Sequence, residues 1–222
     1  MKVVIIDYGL CNLLSVYNAL KFIGINSNVS ADPEELKTAD IAILPGVGAF
    51  EDGMQGLRKR GLINAVYDFV KTGRPFLGIC LGMQLLMSKS YEFGEHEGLG
   101  LIKGEVLPFK TDCDSSRYRV KVPHIGWNSL YPREHSWEGT VLSSLDEGTE
   151  MYFVHSFYVS PACIKNILAE TEYAGTRFCS VVFKDNIYGC QFHPEKSARF
   201  GLKILENFVR LQSTVTVSTY VG

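Results

Sequence analysis

Two hydrophobic rhythms alternate along the first half of the chain. "KVVIID" (2–7), "DIAILPG" (40–46) and "PFLGI" (75–79) are unbroken apolar runs, the pattern of strands covered on both faces. Between them the period changes. Leu13, Val16, Tyr17, Leu20 and Ile23 recur at helical spacing, and Gly24 offers a stop. "NSNVS" (26–30) predicts a short strand. Asp32 then reads as a helix cap, with Pro33 in the first turn and acidic residues after it. Residues 61–72 predict another helix, ended by Gly73. This alternation predicts an α/β fold, a mainly parallel open sheet with helices on both faces. Active sites in such sheets lie at the carboxyl ends of the strands.

Beyond residue 100 the texture changes. "GLIKGEVLPF", "GTVLSSL", "EMYFVHSFYV", "NILAETEY", "FCSVVFKDN" and "IYGCQF" are short, β-branched or aromatic, and punctuated by turn residues. They predict a β-rich second half with antiparallel strands, "KDN" being a hairpin connection. A last amphipathic helix is expected from Ser197 to Leu211. The uncharged tail after it has no obvious partner element, so the expected organisation is one domain over 1–211 and a disordered tail over 212–222.

Composition narrows the class. The chain has 222 residues, 46% hydrophobic and 21% charged, with a formal net charge of −2. Nothing there pulls towards nucleic acid or an anionic membrane, and neither is expected as a partner. The apolar runs are too short to span a bilayer, and Asp7 cuts off "MKVVIIDYG" before it forms a secretory signal. Six cysteines (Cys11, Cys80, Cys113, Cys163, Cys179 and Cys190) lack CxxC spacing. That pattern points to a cytoplasmic protein whose thiols are mostly small buried hydrophobes.

One cysteine stands apart. In "GICLG" Cys80 is flanked at two positions either side by Gly78 and Gly82, the pattern of a nucleophile elbow. Small flanking residues let strand and helix approach while the central residue takes a strained turn. The sulfur then sits at a helix N-terminus, where thiolate is favoured. The plainer alternative is a buried cysteine beside two packing glycines. A nucleophile needs a base, and the base an orienting group. "YGCQFHPEKS" offers both: a strand ending at His193, a turn at Pro194, and Glu195 close enough to return to the imidazole. A surface His-Pro-Glu turn is the alternative there. In "LPGVGAF" the loop with Gly46 and Gly48 follows a strand and turns backbone N–H groups towards a ligand. With the Leu81 N–H it makes a candidate oxyanion hole, though a simple glycine turn looks the same. Cys80, His193 and Glu195 mix soft and hard ligands without zinc spacing, so no metal and no cofactor is expected.

Taken in order, "PGVGAF", "GICLGMQLL", "PHIGWN", "FVHSFY" and "QFHPEKS" resemble the triad class of glutamine amidotransferases. "PHIGWN" and "HPEKS" narrow the likeness to the glutaminase subunits of imidazole glycerol phosphate synthases. The resemblance implies that Cys80 attacks the side-chain amide carbon of glutamine, that His193 moves the protons and that Glu195 orients it. It implies oxyanion donors at the N–H groups of Val47 and Leu81. Glutamine would be bound by Gly46, Gly48, Gln84, Glu92, Ser156 and Phe157, with Glu92 on its ammonium group; a helical glutamine without a role and a solvated charged loop, "YEFGEHEG", are the alternatives for Gln84 and Glu92. Free ammonia is mostly protonated in neutral water, so such a glutaminase works docked on a cyclase as a heterodimer. Trp127, Asn128, Tyr152 and Lys196 are the expected interface, with core packing the alternative for Trp127. Other readings with the same residues are a paralogue feeding a sugar amidotransferase of surface polysaccharide synthesis, a non-catalytic partner-binding homologue, and a stand-alone cysteine hydrolase.

Overall fold

The computed structural model describes residues 1–109 and 121–218. Cys113 and the last four residues of the expected tail lie outside the described residues. The first half runs β1 (Val3–Ile6), α1 (Leu13–Phe22), β2 (Ser27–Ser30), α2 (Pro33–Lys37), β3 (Ile41–Gly46), α3 (Phe50–Lys59), α4 (Leu62–Lys71), β4 (Phe76–Cys80) and α5 (Leu81–Leu85). Then come β5 (Lys89–Ser90), β6 (His96–Glu97), β7 (Gly104–Pro108), β8 (His124–Ser129), β9 (Tyr131–Pro132), β10 (Glu150–His155) and β11 (Phe157–Pro161). β12 (Ile167–Tyr173), β13 (Thr176–Lys184), β14 (Ile187–Cys190) and α6 (Ala198–Ser218) complete the chain.

The large sheet has the order β2-β1-β3-β4-β14-β13-β11-β7-β5-β6. From β2 to β14 every pairing is parallel, and from β14 through β13 and β11 to β7 it is antiparallel. β8 and β10 form a separate antiparallel ribbon. The buried strands serve two cores by simple alternation. Val3 and Ile5 of β1 and Ile41 and Ile43 of β3 pack with α1 and α6, while Val4, Ile6, Ala42 and Leu44 pack with α2 to α5. Unbroken apolar runs are the consequence of having a core on either side. Asp32 caps α2 as expected, accepting from the Glu34 N–H at 2.9 Å.

Five details differ from the sequence reading. α3 was not expected, because Gly53 and Gly56 interrupt its pattern. Tertiary packing demands Gly56, where a Cβ would lie 2.3 Å from the Tyr8 carbonyl oxygen, and is tight at Gly53, where it would lie 3.2 Å from the Leu85 side chain. "GTVLSSL" is no strand. Its amides instead bond three residues back (Thr140 to Trp137, Ser143 to Thr140, Leu145 to Leu142), which coils the segment and buries Val141, Leu142 and Leu145. "EMYFVHSFYV" breaks at Ser156 and divides between the ribbon and the large sheet. Finally, α6 continues past Leu211 to Ser218, and β14 ends at Cys190 rather than at His193. Among the described residues no helix is long and apolar enough to cross a membrane, and all five described cysteines are free.

Candidate active site

Cys80 closes β4 and caps α5, with φ 53° and ψ −108°. A positive φ is costly for a residue with a side chain, and tight packing on both sides holds it there. A Cβ on Gly78 would lie 2.7 Å from the Gly82 backbone, and one on Gly82 only 1.7 Å from the Leu44 carbonyl oxygen. Both flanking glycines are therefore required by contact between strand and helix. Gly46 pairs with Cys80 across β3 and β4, and a Cβ there would overlap the Tyr8 hydroxyl at 1.9 Å.

His193 leaves the large sheet but stays anchored. Its N–H donates to the Tyr152 carbonyl at 3.0 Å, and its own carbonyl accepts from the Ser197 hydroxyl at 2.6 Å. Pro194 turns the chain so that Glu195 Oε1 accepts from His193 Nδ1 at 2.8 Å, with both side chains almost fully buried. That bond assigns the Nδ1 proton and leaves His193 Nε2 without a partner among the described residues. Burial disfavours the imidazolium, but the Cys80 sulfur and the Glu195 carboxylate outweigh it and lift His193 to about 10. His193 is thus tuned to hold a proton beside the Cys80 sulfur.

These groups open on a cavity of about 310 Å³. Of the residues singled out from sequence, Cys80, Leu81, His193, Val47, Gly48, Gln84, Glu92, Ser156 and Phe157 line it; Gly46 and Glu195 lie behind the wall. Pro123, Val154 and His155 line it as well and were not anticipated. Gln84 donates through Nε2 to the Phe157 carbonyl (3.0 Å) and to Gln191 Oε1 (3.3 Å). Gln191 Nε2 in turn lies 3.9 Å from Cys80 Sγ. Gln191 sits two residues before His193, and that spacing, which puts alternate residues of an extended segment on one side, was its sequence signal. Glu92 accepts from the Phe50 N–H at 2.7 Å and so caps α3, whose Ala49 has no side-chain acceptor. Burial raises the Glu92 carboxyl against the opposing pull of that amide.

Val47 does not stand as the oxyanion reading required. Its N–H donates to the Leu10 carbonyl oxygen at 3.0 Å, away from the role of oxyanion donor. The Leu81 N–H is at the first position of α5, where no intrahelical acceptor exists. On the outer face Trp127 is 51% exposed and meets Tyr152 across the ribbon at 6.1 Å between ring centroids, so it is not core packing. Lys196 is exposed. Asn128, expected at an interface, turns its amide inward to His124 (3.3 Å) and to the Glu172 carbonyl (2.9 Å).

The sequence pattern described as Glutamine amidotransferase class-I matches residues 4–211. The chain belongs to this family. Among curated amidotransferase relatives, an "Imidazole glycerol phosphate synthase subunit HisH 1" of Legionella pneumophila (strain Lens) is 47% identical over 212 residues, 95% of this chain and 99% of that one. The HisH subunit of Sulfurimonas denitrificans is 48% identical over 213 residues, again 95% and 99% of the two chains. The Aquifex aeolicus HisH subunit is 46% identical over 217 residues, 97% of this chain and all of its own. Solved structures share the amidotransferase fold at low identity. PurLQS from Thermotoga maritima superposes with a TM-score of 0.70 at 19% identity, covering 94% of this chain and 97% of that one. A structure described as a glutamine amidotransferase gives 0.70 at 18%, covering 95% and 98%.

Proposed function

We propose that this amidotransferase hydrolyses glutamine to glutamate and ammonia, and passes the ammonia to a cyclase partner making imidazole glycerol phosphate in histidine biosynthesis. The observation that carries the chemistry is Cys80 held in its elbow beside a His193 already bonded to Glu195. Relatives at 46–48% identity over nearly their full length support the imidazole route over a polysaccharide one. We read residues 1–211 as one amidotransferase domain, a reading the family match over 4–211 supports.

Cys80 Sγ, as thiolate, attacks the side-chain amide carbon of glutamine, and the carbonyl becomes an oxyanion. His193 Nε2–H protonates the nitrogen, the C–N bond breaks, and ammonia leaves a glutamyl thioester. Water then gives a proton to His193 Nε2 and its oxygen to the thioester carbon. Collapse of the second tetrahedral intermediate frees glutamate and restores the thiolate beside the imidazolium. Glu195 steadies that imidazolium throughout. Leu81 supplies one N–H to each oxyanion. The Val47 N–H becomes the second donor only after leaving the Leu10 carbonyl, so the isolated chain holds an incomplete oxyanion hole. Gln84, Glu92, Ser156 and Phe157 receive the amino-acid end of the substrate. Trp127, Tyr152 and Lys196 face the cyclase, and Tyr152 reaches the base directly through the Tyr152–His193 backbone bond.

Glutamate release by the purified protein, alone and with a cyclase subunit and its nucleotide ligand, tests the reading. Strong stimulation that vanishes in Cys80→Ala is expected. A chain that the cyclase leaves unstimulated would refute the imidazole route, and one whose Cys80 also resists a glutamine-mimicking electrophile would refute the glutaminase.

A further inference from the structure

Two histidines that the triad does not use stand at the cavity wall, His155 lining it and His124 behind it. His124 and His155 stand directly opposite each other where β8 pairs with β10, and both are buried. His124 Nδ1 is 3.0 Å from His155 Nε2, and His155 Nδ1 is 2.8 Å from the Phe157 carbonyl oxygen. At the other end His124 Nε2 meets Asn128 Nδ2 at 3.3 Å. Gly126, at φ +142°, stands between them in β8.

Only one proton arrangement satisfies these contacts. A carbonyl oxygen accepts and never donates, so His155 Nδ1 carries a proton and its Nε2, in the neutral ring, accepts. His124 Nδ1 therefore donates to it, and His124 Nε2 accepts from the Asn128 amide. A charge on His155 would set its Nε2–H against the His124 Nδ1–H across the 3.0 Å contact, and a charge on His124 would set its Nε2–H against the Asn128 amide N–H at 3.3 Å. Burial acts in the same direction, pushing His124 down to about 4. Burial likewise takes His155 down to about 3, with His124 and His193 adding to it and the Phe157 bond opposing. Tyr173, 3.9 Å away, and Phe153, 5.0 Å away, stack on the His124 ring.

The far end of this chain is the substrate site. The Phe157 carbonyl accepts from His155 and also from Gln84 Nε2, which occupies both of its lone pairs. We propose that His124 and His155 are positioning residues: a neutral two-imidazole relay that holds the Phe157 carbonyl, and through it Gln84, ready for glutamine. The same relay ties the pocket to Asn128, on the ribbon that presents Trp127 to a partner. It gives a docked partner a path of directed bonds from the outer face to the substrate site. The kinetic consequence rests on the glutaminase reading; the proton arrangement does not.

Two substitutions at one position separate directed bonding from packing. His124→Asn keeps a donor near the Nδ1 position and loses the stacked ring. His124→Phe keeps the ring between Phe153 and Tyr173 and loses the donor. In the intact complex with the cyclase subunit, His124→Phe is expected to raise KM for glutamine about 10-fold, the scale of one lost hydrogen bond, with a smaller change in kcat. His124→Asn is expected to restore KM most of the way. Unchanged KM in His124→Phe, or a greater loss in His124→Asn, overturns the proposal. NMR of protein carrying 15N-labelled histidine reads the tautomers without any assay. Slowly exchanging Nδ1–H protons on both rings at neutral pH are expected, and an Nε2–H tautomer or a charged ring on either overturns the relay. A wild-type protein without glutaminase activity would count against the functional reading alone, because the NMR result still decides the relay.

Discussion

On one side of the cavity Cys80 and His193 are almost wholly buried, at the end of β4 and just beyond β14, and Glu195 is buried behind them. By contrast, Val47 is 39% exposed, Trp127 is 51% exposed, and the Val47 amide is bonded to Leu10 instead of awaiting an oxyanion. The first wall is built on the closest-packed part of the parallel sheet, where strand and helix leave no room for a Cβ at Gly78 or Gly82. The second consists of a loop and a separate two-stranded ribbon. On the proposed mechanism the nucleophile and its base are thus preorganised, while the donor that would complete the oxyanion hole sits on an exposed loop. On the same proposed mechanism, the Val47–Leu10 bond would restrain ammonia release until an acceptor is docked.

Four substitutions put this contrast to the test. Glu195→Gln attacks the rigid wall, and the partner-stimulated rate is expected to fall about 10²–10⁴-fold as the imidazolium loses its support. Stability should report the same change. His193 is raised from 6.5 to about 10, so its contribution is full below 6.5 and disappears as pH climbs through 10. Thermal melts should therefore show a gap between wild type and Glu195→Gln that is widest near the acid end and narrows towards pH 10; a constant gap would contradict the assignment. Val47→Pro attacks the other wall by deleting one N–H. The stimulated rate is expected to drop about 10²-fold, and the unstimulated rate, which already lacks that donor, far less. Equal losses in both states would show that the Val47 amide is not the one withheld. Trp127→Ala should weaken binding of the cyclase subunit about 10-fold, measured by titration calorimetry. The smallest effect is Gly56→Ala. Helix propensity alone predicts a gain of about 1 kcal/mol, but contact with the Tyr8 carbonyl predicts a loss of about 1–3 kcal/mol in denaturant unfolding.

The Gly56 case shows where sequence reading stops. β1, β3 and β4 were readable because both of their faces are buried and every residue is apolar, and α1, α2 and α4 because their periodicity or caps are local. α3 was not, since its glycines answer to Tyr8 and Leu85, which are distant in sequence. "GTVLSSL" misled in the opposite way: β-branched composition suggested a strand, while burial of Val141, Leu142 and Leu145 is achieved by successive turns. At the site, the elbow and the His-Pro-Glu turn were local motifs and therefore visible. The Val47–Leu10 bond, the cap that Glu92 places on α3, and the histidine pair were not, because each joins residues that only the fold brings together.

The sequence by itself determined the chemistry available, a glycine-flanked thiol with an imidazole and a carboxylate two residues apart, because those spacings are set by the local chain. Folding alone sets which way the Val47 amide points, brings the Gln191 amide to 3.9 Å from the Cys80 sulfur, and places His124 within hydrogen-bond distance of His155. Hydrogen-bond direction between distant segments depends on how the sheet and ribbon pack, and no local pattern of residues encodes it.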